Sequence, residues 1–254
     1  MNKIKKLKEI RNKLKNKKPS IGSWMQICDS DVAEIFGFAG YDWIAIDLEH
    51  GLFDKKYLSN IFRSLELGNT LPLARVESSN FKDLKYPMEA GAAGVIVPMI
   101  KDTNEVKYVV DNVKWPPAGS RGVGFSRANL YGKKFNNYSK LAIDPFVVIQ
   151  IENIQAVNNL ESILNNVRVD AVLIGPYDLS ASLGKVGQFK SKTFLNTINE
   201  ITKICKKNEV PYGSHIISPE KKLLTKSIKS GNLFIPYSID TVIMNKYFTN
   251  PIDA

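Results

Sequence analysis

Apolar and polar positions along the chain fall into two alternating rhythms. Nearly continuous apolar runs at 20–26, 42–51, 71–76, 93–99, 146–151, 170–175, 210–216 and 233–239 have the β-branched content of buried strands. Between several of them apolar residues return at helical spacing, at 32–36 with a stop at Gly40, 55–67, 81–90, 103–114 and 241–248. Eight strands alternating with about eight helices, and no nucleotide-binding glycine-rich loop after the first strand, predict an α/β fold of the (β/α)8 TIM-barrel class over an open doubly wound sheet. At 254 residues one such barrel accounts for the whole chain, 1–254, as a single domain.

Two stretches break the rhythm. Residues 116–144 are rich in turn residues (Pro116, Pro117, Gly119, Gly122, Gly124, Asn129, Gly132) and predict a long loop of the kind that covers something. Residues 1–18 place Ile4, Leu7, Ile10 and Leu14 on one side of a helix that is otherwise lysine-rich. Nine basic residues against Glu9 give this segment +8 of the formal +10, so the rest of the chain is nearly balanced. A helix packed on the domain is favoured over an arm for polyanions, so neither nucleic acid nor membrane is expected as a partner. No apolar run approaches the roughly 20 residues of a membrane span. Two distant cysteines, Cys28 and Cys205, and a start without an apolar signal core predict a reducing cytoplasm.

The ends of the strands carry the chemistry. Gln150-Ile151-Glu152 and Gly175-Pro176-Tyr177-Asp178 are apolar runs that stop in an acid, and two carboxylates on neighbouring strand ends can converge on one hard divalent cation. The same spacing equally allows both to cap the following helices. His50 follows Asp47 and Glu49, and a neighbouring carboxylate can orient an imidazole and raise its basicity, although a turn-capping histidine at Gly51 fits as well. Arg75 ends an apolar strand, where a guanidinium needs an anion: a substrate oxyanion, or Glu152 or Asp47 in a salt bridge at the barrel mouth. The glycines around Arg121 lack the context of a phosphate loop, and no lysine sits where burial would fit it for Schiff-base chemistry.

Taken together, Gly40-Tyr41-Asp42-Trp43, Ile46-Asp47-Leu48-Glu49-His50-Gly51, Ala74-Arg75-Val76, Gly94–Met99, Pro117–Gly122, Gln150-Ile151-Glu152 and Gly175–Gly184 resemble the HpcH/HpaI aldolases, class II metal-dependent pyruvate aldolases, from about residue 20 to 240. The resemblance implies that Glu152 and Asp178 hold Mg2+, Mn2+ or a similar ion such as Co2+. It implies that Arg75 contacts the keto oxygen of pyruvate, and that His50, oriented by Asp47, serves the acid/base step. Gln150 would lie beside the metal, and the backbone from Gly175 through Pro176 and Tyr177 to Asp178 would receive the pyruvate carboxylate. The implied reaction cleaves a 4-hydroxy-2-oxo acid to pyruvate and an aldehyde through a metal-stabilised enolate, or runs in reverse. Loss of carbon dioxide from an oxaloacetate-type acid through the same enolate, and a non-catalytic barrel, are the alternatives. The family also implies a homo-oligomer, a hexamer whose C-terminal helix near 241–248 is exchanged between subunits. Tyr177, where alanine is common, Glu89, where a shorter acid is common, and His215 depart from the family pattern, and the first two are expected to reshape the pocket.

Overall fold

Each apolar run becomes a strand because its alternate side chains have two apolar layers to enter, the barrel interior and the surrounding helical shell. In the computed structural model, which describes residues 1–250 and Ile252, α1 (Lys3–Lys15) precedes β1 (Ser20–Met25), α2 (Ser30–Phe38), β2 (Trp43–Asp47), α3 (Leu58–Leu67) and β3 (Leu71–Arg75). The chain continues through α4 (Phe81–Ala90), β4 (Gly94–Val97), α5 (Thr103–Val113), α6 (Phe135–Ile143), β5 (Phe146–Ile151), α7 (Ile154–Asn166) and β6 (Ala171–Ile174). It finishes with α8 (Pro176–Ser182), α9 (Lys192–Lys207), β7 (Tyr212–Ser214), α10 (Lys221–Lys229), β8 (Phe234–Ile239) and α11 (Asp240–Tyr247).

The eight strands form one parallel sheet in the order β7-β6-β5-β4-β3-β2-β1-β8, a nearly closed (β/α)8 barrel. Its seam lies between β7 and β8, joined by a bridge between Ile216 and Tyr237 and by the amide of Ile216 donating to the carbonyl of Pro236 at 3.0 Å. Pro236 has no N–H to give in return, which leaves the seam short of a donor. The strands also pass so close that a β-carbon at Gly213 would stand 1.7 Å from the Phe234 carbonyl oxygen, so only glycine fits there.

Leu7, Ile10 and Leu14 of α1 are buried in the cluster that fills the barrel interior, with Trp43, Leu71, Phe146, Leu173 and Phe234. The basic face of α1 is tied to acids beside the strand starts: Arg11 donates to Asp144 at 2.6 Å and to Asp170 at 2.7 Å, and Lys13 to Asp42 at 2.6 Å. The helix therefore plugs the N-terminal end of the barrel, opposite the strand ends.

Two sequence expectations need correction. Residues 116–144 are not loop throughout, because α6 spans Phe135–Ile143, with Tyr138, Leu141 and Ala142 buried at helical spacing among polar Asn136, Asn137 and Ser139. The remaining 116–134 segment is pinned by Arg121, fully buried, which donates to Glu89 at 2.8 Å and to the Tyr138 hydroxyl at 3.0 Å. And Asp178 is not the last residue of a strand: β6 stops at Ile174, and Pro176 opens α8, leaving Asp178 in the first helical turn.

Candidate active site

At the carboxyl ends of the strands, Asp47 of β2 and Arg75 of β3 are register partners. Nε and Nη2 of Arg75 donate in parallel to the two Asp47 oxygens, at 2.9 and 2.7 Å, and Nη1 lies 3.0 Å from a Glu49 oxygen. Beneath the guanidinium lies the Trp24 ring, 4.6 Å away. Asp47 also accepts from the Gln26 side chain at 2.8 Å and from the amides of Glu49 and His50 at 3.2 Å. Burial alone would raise its pKa, but the hydrogen bonds and charge of Arg75 outweigh it and hold Asp47 below the ordinary carboxylate range.

Asp47 thus fixes the backbone at His50, not its ring, correcting the role expected for it. The carboxylate facing the imidazole is that of Glu49, 4.0 Å from Nε2. The His50 side chain is 57% exposed and lines the cavity that the strand ends enclose.

Glu152 is buried just past β5. One carboxylate oxygen accepts from the Met99 amide at 2.6 Å and the other from the Gln150 side chain. Burial, with the charges of Glu49 and Asp178 adding to it, pushes its pKa up to about 7. Glu49 is likewise raised, by burial first and by the charges of Asp47 and Asp178 against the pull of Arg75. Asp178 is exposed at the rim. Of the amides expected to receive a carboxylate, that of Gly175 already donates to the Ile151 carbonyl at 3.3 Å and Pro176 has none, which leaves those of Tyr177 and Asp178.

Arg75, His50, Gln150, Gly175, Pro176, Tyr177 and Asp178 all border one cavity of about 240 Å³, together with Trp24, Gln26 and His215. Glu89 does not border it, because it is the partner of Arg121. Trp24 and Gln26 were missed in the sequence, although they lie at the end of β1 just as Asp47 and Arg75 end their strands.

The donor set suits a hard divalent cation. Glu152 and Asp178 crowd negative charge where no cationic side chain answers it, and the buried Oε1 of Gln150 has no hydrogen-bond partner among the described residues. Among those residues no three acidic, histidine or cysteine side chains gather tightly enough to form a cage, so two carboxylates are what the protein would contribute.

The match to a family model decides the family: residues 20–246 fit that of the HpcH/HpaI aldolase/citrate lyase group. The chain belongs to the HpcH/HpaI aldolase family. It is an aldolase, a carbon–carbon lyase. It is 31% identical to the hydroxypyruvate/pyruvate aldolase of Roseobacter denitrificans over 245 residues, covering 94% of this chain and 93% of that one. It is 31% identical to the 4-hydroxy-2-oxo-heptane-1,7-dioate aldolase of Salmonella typhimurium, covering 92% and 89%. Among solved structures, an HpcH/HpaI aldolase/citrate lyase family protein from Burkholderia cenocepacia superposes with a TM-score of 0.87 at 25% identity, covering 94% of this chain and 95% of that one.

Proposed function

We propose that this aldolase cleaves a 4-hydroxy-2-oxo acid to pyruvate and an aldehyde, or condenses the two, with Mg2+ or Mn2+ held by Glu152 and Asp178. The observation that carries the reading is the cavity at the strand ends, which Arg75, held by Asp47, shares with Asp178 and with Gln150, whose amide donates to Glu152 and whose buried Oε1 has no partner among the described residues.

A bound divalent ion would act as a Lewis acid on the keto oxygen of the substrate. Arg75 spends two of its five N–H groups on hydrogen bonds to Asp47, and Nη1 only ion-pairs with Glu49 at 3.0 Å, so N–H groups remain to hold the developing oxyanion in a fixed direction. Asp47 keeps the planar guanidinium aimed, with Gln26 holding Asp47 in turn. His50, at the rim with Glu49 beside its Nε2, takes the proton of the C4 hydroxyl as the C3–C4 bond breaks. The free amides of Tyr177 and Asp178 at the start of α8 receive the substrate carboxylate.

Exposed apolar side chains support self-association into a homo-oligomer: Tyr247 and Phe248 at the end of α11 are 64% and 77% exposed, and Ile35 and Phe38 on α2 71% and 67%. Light scattering on the purified chain reads that directly.

The reaction is tested by exchange of the pyruvate methyl protons in D2O, followed by NMR with Mg2+ or Mn2+ added and then removed with EDTA. Metal-dependent exchange is expected, and its absence with both ions would overturn the reading.

A further inference from the structure

The cavity has little with which to receive a second anion. Among the described side chains that line it, Arg75 is the one permanent cation, and Asp47 and Glu49 already hold it. His215 also lines it, but burial pushes its pKa down to about 4, so it is uncharged near neutrality. Among the described residues the one carboxylate that lines it is Asp178 on the rim, which the metal would occupy. One wall is apolar, formed by Leu173, Ile174, Ile217 and Ile239, while Gln26, Gln150 and His50 line the rest. Tyr177, 51% exposed, extends the apolar wall to the surface, its ring edge-on against Phe189 with 4.9 Å between centroids.

Resting on the pyruvate-aldolase reading, we propose that the acceptor is an aldehyde without charge at its far end, and that it lies against the phenol ring of Tyr177. A remote carboxylate would lose its hydration with no free side-chain cation in the cavity lining to replace it. An uncharged chain or ring loses less water and gains contact with Tyr177 and the apolar wall. The Salmonella relative is named for a heptane-1,7-dioate, which has a second carboxylate remote from the keto acid, so the preference separates this chain from it. The chemistry needs no further reactant. A proton leaves the pyruvate methyl group, its carbon bonds to the aldehyde carbon, and the aldehyde oxygen takes up a proton.

The test compares butanal with 4-oxobutanoate, which share a four-carbon aldehyde chain and differ in the terminal carboxylate, as acceptors for pyruvate on the metal-loaded enzyme. Butanal is expected to have at least about a tenfold higher kcat/KM; equal or better use of 4-oxobutanoate overturns the proposal. Methyl-proton exchange measured without aldehyde separates the two failures, because a preference for the anion with exchange intact removes only the acceptor assignment, whereas loss of exchange removes the aldolase reading itself. In Tyr177→Lys a cation stands where the phenol was, and the butanal to 4-oxobutanoate ratio is expected to fall by about tenfold, mainly through KM for the anion. An unchanged ratio in a variant that still exchanges pyruvate protons would overturn the role of Tyr177.

Discussion

Glu152 lies directly over Gly175: a β-carbon at position 175 would stand 2.3 Å from a Glu152 carboxylate oxygen and 3.1 Å from the Gln150 amide nitrogen. Gly175→Ala should therefore push the carboxylate away from Gln150 and the Met99 amide. We expect Mn2+ affinity, measured by calorimetry, to fall on the order of 10–100-fold, as for the loss of groups that orient a ligand, with overpacking costing about 1–3 kcal/mol of stability. Unchanged affinity in the folded variant would remove Glu152 from the metal site.

Asp178 offers a cleaner deletion. Its side chain is exposed and accepts no hydrogen bond from another described residue, so Asp178→Ala should cost only ~0.3–1 kcal/mol, from its place in the first turn of α8. Metal binding and aldol cleavage should nearly vanish while the melting temperature moves by a few degrees at most. Stoichiometric metal in this variant would refute the assignment.

Arg75→Lys keeps a positive charge and discards the planar fork. Methyl-proton exchange should slow on the order of 10²-fold, the scale of one lost oxyanion contact. The variant also breaks one arm of a buried pair, so thermal melting must accompany the rate measurement. A large loss of stability with a nearly normal rate would make Arg75 a strut of the barrel mouth alone.

His215 ties stability to pH. Its folded-state pKa of about 4 lies below the ordinary 6.5, because burial disfavours the imidazolium. The unfolded chain therefore binds the extra proton first, so this contribution is complete above pH 6.5 and is lost as pH falls toward 4. Its full size is on the order of 3 kcal/mol. Glu152, raised to about 7 without metal, acts in the opposite sense, weakening the fold as pH rises from 4.5 through 7. Because these two trends oppose each other, the change in urea midpoint from pH 5 to pH 7 should be more negative in His215→Gln than in the wild type, and an equal change would refute the linkage.

The fold was legible because buried parallel strands leave unmistakable apolar runs. Glu49, His50, Arg75, Glu152, Asp178 and His215 could be placed at or near strand ends from the runs that precede them, and four of them, His50, Arg75, Asp178 and His215, border one cavity. The two misread segments had local reasons. Pro176 at a first helical position announces α8, but Leu173–Asp178 reads smoothly as a strand ending in an acid. In α6, asparagines and a serine between Phe135, Tyr138 and Leu141 look like a loop until Tyr138 is seen buried against Arg121. Which carboxylate faces which cation was only partly legible: Asp47 stood as one of two candidate partners for Arg75, but nothing pointed to Glu49. The partners of Arg75 come from β2 and the turn after it, and register between strands is a property of the closed barrel.

Ile10 lies 1% exposed at the base of the barrel, away from the cavity. Ile10→Ala should cost about 2–5 kcal/mol, seen as a lower melting temperature, with exchange per folded site unchanged. A rate loss at full stability would place α1 in contact with the catalytic end.

The attachment of α1 also sets a schedule for the growing polypeptide. Arg11 emerges from the ribosome well before its carboxylate partners, Asp144 and Asp170, which are 133 and 159 positions further along. Until β5 and β6 have been made, this helix has only part of its seat, and its apolar stripe has no finished barrel to enter. This helix thus locks only after β5 and β6, so a nascent chain stalled before residue 144 should leave the lysines of α1 open to protease, whereas one extended past 170 begins to shield them.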